Sequence, residues 1–190
     1  MLTWILIGVT VVVSWMAFER PRLMDRLTLW PPAIARRHEY DRLVTYGFVH
    51  ADWTHLLFNM MTLYFFGPLS ERFYAATMGP LAYPLFYLSA MVAAILPTYL
   101  RHRDDAKYRS LGASGAVSAL MGMYAVMYRL RRIRFFYQLF FYFNYVTAPA
   151  LLLLPAWIVN ELMQHWLGGQ GVAYMAHIGG LLTGAALMAG

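Results

Sequence analysis

The sequence contains no cysteine, so disulfides and cysteine-ligated metal centres are excluded. Charge is also scarce: 13% of residues are charged and 61% are hydrophobic, whereas an ordinary soluble domain has roughly 25% charged and about 45–50% apolar residues. The aspartates are Asp25, Asp41, Asp52, Asp104 and Asp105, all in expected loops or at a helix edge. A pair of carboxylates sharing one buried site is therefore not available. The His-Glu-x-x-His spacing of a zinc hydrolase is missing as well. His50 and His55 do not provide it, and Glu161 with His165 has no evident third ligand. No zinc site of that kind is expected. The net charge of +6 could suggest nucleic acid, but in so apolar a chain basic loops more commonly lie against anionic lipid headgroups, and no nucleic-acid partner is expected.

What the chain has instead is length without charge. Six stretches carry no Asp, Glu, Lys or Arg: Met1–Phe18, Trp53–Ser70, Phe73–Leu100, Ser110–Tyr128, Phe135–Asn160 and Leu162–Gly190. A spanning helix needs about 20 mostly apolar residues, and each stretch is long enough. The expectation is an all-α polytopic membrane protein, a six-transmembrane-helix bundle forming a single domain over residues 1–190. Its helices are placed at roughly 2–18, 53–67, 81–100, 112–129, 136–161 and 173–190. A long first loop, 19–45, is rich in Leu, Trp, Ile and Arg and suits the membrane interface. Asp52 is the expected N-cap of the second helix, and Gly67-Pro68 its expected end. The first stretch has no basic leading region or small-residue cleavage site and reads as a retained anchor.

Orientation divides the evidence of charge. With the N-terminus inside, the inner loops hold Arg72, Arg129, Arg131, Arg132 and Arg134, and the outer loops hold the other ten basic residues. Lys and Arg concentrate on the cytoplasmic side of membrane proteins, which argues for the N-terminus outside.

Polar residues within spans are costly and mark function when ionisable. His55 and Asn59 are four apart and share a face of the second helix. Ser114 and Ser118 do the same in the fourth, and His177 lies early in the sixth. Small residues allow close helix approach: Gly115, Ala119 and Gly122 stripe the fourth helix, and Gly180 and Gly184 the sixth. Such packing would bring a short serine side chain to an imidazole. A serine hydroxyl becomes nucleophilic when a base within hydrogen-bond reach takes its proton, and Ser114 with His177 supplies that minimum. His55 and Asn59 would be donors toward a developing oxyanion, each worth roughly 10²–10³ in rate. With no carboxylate in the apolar part of any helix, the arrangement would be a dyad. The same residues could also serve packing alone: a serine bonding a backbone carbonyl, or histidines pinning helices together.

Three blocks together resemble the rhomboid family of intramembrane serine proteases. The first is Arg42-Leu-Val-Thr-Tyr-Gly-Phe-Val-His50 with His55-Leu-Leu-Phe-Asn59, Gly67 and Glu71; the second is Gly112-Ala113-Ser114-Gly115; the third is Ala176-His177-Ile-Gly-Gly180 with Gly184. The resemblance covers roughly Arg42 to Gly190. It implies Ser114 as nucleophile, His177 as general base, and His55, Asn59 and the Ser114 backbone N–H as oxyanion hole. His50, Gly112, Gly115 and Gly180 would be motif or structural supports. It further implies transmembrane protein substrates, no cofactor, a multi-pass place in a bacterial cell membrane and a cytoplasmic N-terminus, opposite to the loop charges. Two positions depart from the pattern. Ser118 stands where many bacterial relatives have a tyrosine stacked on the histidine, and Asp41 where a tryptophan usually precedes the arginine. Two other functions remain open: a catalytically silent rhomboid-like protein that binds membrane clients, and a small transporter with His55 and His177 on a proton path.

Overall fold

A computed structural model of the chain describes residues 1–139, 142–166 and 174–189. It is mostly helical. Helix α1 spans Leu2–Glu19, followed by three short helices, α2 (Pro21–Leu27), α3 (Pro31–Arg37) and α4 (Arg42–Thr45), and a 3-10 turn at Tyr46–Phe48. Next come α5 (Trp53–Thr77), α6 (Ala82–Arg101) and α7 (Ser114–Met127). An antiparallel hairpin, β1 (Arg132–Leu139) and β2 (Tyr142–Pro149), precedes α8 (Leu153–Trp166) and α9 (Tyr174–Ala189).

Helix α1 is inside out by the standards of a soluble protein. Its buried residues are Thr3, Thr10, Ser14 and Ala17, while Trp4, Ile5, Val9, Val12, Trp15 and Met16 are exposed. α5 likewise exposes Trp53, Leu57, Phe58, Met61, Tyr64 and Phe65. Water would penalise so much contiguous apolar surface, whereas hydrocarbon does not. By length and composition, α1 and α6 are able to cross a membrane; α7, the Ala150–Val159 run that includes the first half of α8, and α9 are shorter apolar helices.

Several expected boundaries are corrected. The second helix does not stop at Gly67-Pro68 but continues to Thr77 with Pro68 inside it. Pro68 has no N–H for the carbonyl one turn back, yet the extra turns place Glu71 beneath α1. There its carboxylate accepts from the backbone N–H of Leu2 (2.8 Å) and Thr3 (3.0 Å) and from Thr3 Oγ1 (2.7 Å), filling donors that the helix leaves open at its N-terminus. In α6, Pro84 falls in the first turn, where a missing N–H costs nothing, and Pro97 lies inside.

The helix expected over 136–161 begins only at Leu153, because the hairpin occupies its first half. The run Arg132–Pro149 is dense in aromatic and β-branched residues, which favour strands; counting apolar residues cannot distinguish the two. The expected loop 19–45 is instead built of α2, α3 and α4. Of the sixth expected helix, residues 173 and 190 lie outside the described residues. Asp52 caps α5 as expected, its side chain accepting from the His55 N–H at 2.8 Å.

The core lies where α5, α6 and α7 meet, around Leu63, Tyr83, Tyr87, Met91, Ile95, Leu120 and Met123. The short helices are tied together by buried Arg42. Its Nε donates to Glu39 (2.6 Å), and its Nη1 to the carbonyls of Asp25 and Thr28 (both 2.6 Å). The guanidiniums of Arg37 and Arg109 lie over the Trp30 ring, 5.1 and 4.2 Å from its centre.

Replacing Glu71 with alanine leaves the first-turn donors of α1 without their acceptor. The expected loss is on the order of 1–3 kcal/mol, read as a lower thermal unfolding midpoint in detergent micelles. An unchanged midpoint would mean the cap carries no stability.

Candidate active site

Ser114 is the first residue of α7, and the segment leading to it is held at almost every step. Leu29 and Ser110 exchange backbone hydrogen bonds (2.9 and 3.3 Å), the Gly112 N–H donates to the Tyr46 carbonyl (2.9 Å), and the Ala113 N–H donates to His50 Nε2 (3.3 Å). Gly112 has φ +115°, a conformation that favours glycine, and a Cβ there would meet His55 Cε1 at 2.7 Å. The motif glycine thus lets the chain turn into α7 while passing against the His55 ring.

Opposite it runs α9, and the contact between α7 and α9 is made by backbones. A Cβ on Gly180 would land on the Gly115 carbonyl, one on Gly184 on the Ala119 carbonyl, and one on Gly122 on the Leu181 carbonyl. At this separation His177, near the start of α9, reaches Ser114: Nε2 and Oγ are 2.7 Å apart. Both side chains are half-buried. The distance is that of a hydrogen bond through which an imidazole can take a hydroxyl proton.

The other expected site residues lie on α5 and just before it. His55 Nδ1 accepts from the Ala51 N–H (3.4 Å), which leaves the ring proton on Nε2, the atom beside Gly112. Asn59 is buried one turn along and gives one amide hydrogen to the His55 carbonyl (2.9 Å). A primary amide has two such hydrogens, so one remains. Among the described residues, neither His55 nor Asn59 bonds Ser114 directly. The Ser114 N–H is in the first turn of α7, where the helix itself offers no acceptor. The structure therefore brings Ser114 Oγ and His177 Nε2 into contact, sets the His55 ring against Gly112, two residues before Ser114, and places Asn59 one turn beyond His55 on α5. No group of three or more metal-ligating side chains occurs among the described residues.

His50 is fully buried, with Nδ1 3.0 Å from Ser14 Oγ. Its ring is 5.0 Å, edge to face, from that of His55. Burial chiefly, and secondly the charge that His55 can carry, push its pKa down to about 3, against a smaller upward pull from Asp52. Ser14 is the residue that sequence reasoning missed. Ser14 is a polar residue within an uncharged run, the same signal that singled out Ser114, but no motif surrounds it.

A family model, Rhomboid domain, matches residues 37–190. The chain belongs to the rhomboid family. Three relatives agree. "Putative rhomboid protease YdcA" of Bacillus subtilis (strain 168) is 32% identical over 125 residues, covering 63% of this chain and 59% of the relative. "RHOMBOID-like protein 12, mitochondrial" of Arabidopsis thaliana is 30% identical over 188 residues, 92% of this chain and 53% of the relative. "Rhomboid-like protein 11, chloroplastic" of the same plant is 27% identical over 160 residues, 77% and 51%. The chain spans between half and three-fifths of the length of these relatives. Rhomboids are integral membrane proteins, in keeping with the exposed apolar faces of α1 and α5. In this rhomboid the position of the stacking tyrosine, Ser118, is buried on α7.

Gly180→Ala puts a methyl group on the Gly115 carbonyl and must separate α7 from α9. A destabilisation of about 1–3 kcal/mol is expected, with thermal unfolding as its measure; a variant as stable as the wild type would show that the helices can shift apart freely.

The pKa of His50 yields a pH dependence of definite sign. The folded rhomboid holds His50 neutral, while the unfolded chain takes up the proton from about pH 6.5 downward. Its contribution to stability is therefore complete above that value. It is lost by up to roughly 1.4 kcal/mol per pH unit as the pH falls toward the folded value. Thermal midpoints at pH 7.5 and 5.5 should fall more for the wild type than for His50→Gln. Equal falls would remove His50 from the acid response.

Proposed function

We propose that this rhomboid is an intramembrane serine endopeptidase, hydrolysing peptide bonds in or near transmembrane segments of other membrane proteins. The observation that carries the reading is the 2.7 Å approach of His177 Nε2 to Ser114 Oγ, across helices that no residue larger than glycine would let come so close. Ser114 Oγ attacks the scissile carbonyl carbon while His177 Nε2 takes its proton. The carbonyl oxygen becomes an oxyanion facing the Ser114 N–H, His55 Nε2–H and the remaining Asn59 amide hydrogen. His177 then delivers the proton to the leaving nitrogen, the C–N bond breaks, and an acyl-serine remains. Water, deprotonated by His177, hydrolyses that ester and restores the serine hydroxyl.

The site stands where such chemistry needs it. Ser114, His177 and His55 are all near helix beginnings, and in this reading water enters from that side. The chain reads as one rhomboid-like domain with α1, α5, α6, α7, α8 and α9 as six spans, and its substrates as membrane proteins. No cofactor enters the reaction. The expectation of a bacterial cell membrane is narrower than the relatives, whose names also include mitochondrial and chloroplastic proteins, so the compartment stays at integral membrane. A silent client-binding rhomboid-like protein would have no use for a hydrogen-bonded serine and imidazole. A proton path through His55 and His177 would not need Gly112, the glycine that turns the chain past the His55 ring.

The direct test is labelling with a fluorophosphonate probe alongside cleavage of a generic transmembrane substrate in detergent. Wild type should label and cleave, Ser114→Ala should do neither, and cleavage by His177→Ala should fall by at least about 10³-fold. Equal labelling of wild type and Ser114→Ala would sink the protease reading. Client binding without labelling would favour the silent alternative.

A further inference from the structure

The His50 ring joins α1 to the residue before the nucleophile through a chain of hydrogen bonds with only one possible direction. The Ala113 N–H can only donate, so His50 Nε2, 3.3 Å away, must accept and cannot carry a proton. In the neutral ring the proton is then on Nδ1. Nδ1–H faces Ser14 Oγ at 3.0 Å and must donate to it. The Ser14 hydroxyl hydrogen is left to donate to the Phe48 carbonyl, also at 3.0 Å. Ser14, His50 and Ala113 are each fully buried, so no water is at hand to replace a missing partner.

We infer that Ser14 of the first helix is a positioning residue for the nucleophile, acting through the tautomer of His50. Without the Ser14 acceptor, His50 Nδ1–H loses its partner, and the ring gains by moving the proton to Nε2 or by turning. Either change takes the acceptor away from the Ala113 N–H, at the residue that leads directly into Ser114. The Tyr46–Phe48 turn shares in the arrangement at both ends, since Phe48 receives the Ser14 hydroxyl and Tyr46 receives the Gly112 N–H. α1 is thereby linked to the active-site loop although it contributes nothing to the site itself. Shifts of an ångström or less at a nucleophile are enough to change rate strongly. Ser14 lies outside all three sequence blocks, and only its contacts in the fold single it out.

The inference rests on the protease reading, and its test separates the two. Cleavage of a transmembrane substrate is measured per active site, with fluorophosphonate labelling counting the competent molecules, so that partial misfolding does not enter the rate. Ser14→Ala is expected to lower kcat about ten-fold with KM changed less than about two-fold, and Ser14→Thr, which keeps the hydroxyl, to recover most of the loss. In the His50→Gln background, Ser14→Ala should have little further effect, because the two act through one chain. Selective ¹⁵N labelling of histidine should find His50 with its proton on Nδ1 in the wild type and in a mixture of tautomers in Ser14→Ala. An unchanged kcat per labelled site in Ser14→Ala, or a wild-type His50 protonated on Nε2, would overturn the role of Ser14 while leaving the protease reading intact. A wild type that neither labels nor cleaves would overturn the protease reading, and the nitrogen spectra would then decide the hydrogen-bond chain alone.

Discussion

The backbone contact between α7 and α9 is the constraint on which the rest of this rhomboid depends. Three glycines each face a carbonyl oxygen of the opposing helix, at distances that admit no β-carbon. In a bilayer, helices gain little by burying apolar side chains against one another, because lipid tails are equally apolar. Close van der Waals packing between small residues supplies the attraction instead. Here the same packing determines which side chains meet. A serine side chain is short, and it meets an imidazole on another helix only where the two axes are drawn together.

Around that contact other elements hold the segment that leads to Ser114. The segment Ser110–Ala113 receives a carbonyl from Tyr46, a ring nitrogen from His50 and a reciprocal pair with Leu29. These come from the short helices and turns between α1 and α5. Those elements are themselves held by Arg42, whose buried guanidinium takes carbonyls from the end of α2 and the carboxylate of Glu39. Isolated segments of four or seven residues have little helical stability of their own. The buried arginine and the Trp30 stack provide what their length does not. A polar framework thus holds the segment that leads to Ser114, in a molecule whose α1 and α5 faces are apolar.

α1 and α5 illustrate why composition identified the environment and yet misplaced some elements. Absence of charge over long runs is a property of the sequence itself, and only an apolar medium accommodates the exposed Trp4, Trp15, Leu57 and Phe65. The run Phe135–Asn160 satisfies the same count, but its aromatic and β-branched first half pairs as a hairpin, and helix begins only at Leu153. Pro68 misled in the other direction. A proline is a helix end in isolation, but here the helix continues and brings Glu71 to the start of α1, seventy residues away in the chain.

What the sequence determined by itself is the inventory of chemistry: a serine, a histidine, an Asn and a second histidine on one helix face, glycines where backbones must meet, and no thiol, carboxylate pair or metal motif to compete. Residue type and spacing suffice for that, because reactivity belongs to side chains and helical faces follow from a period of 3.6. The tertiary structure alone decided which of these groups touch. Ser114 and His177 are separated by 62 intervening positions, and only the packing of α7 on α9 brings them to 2.7 Å. It alone also decided the proton on His50, since a tautomer is set by partners from three different segments. Nothing in the residues flanking Ser14 marks it as one of those partners.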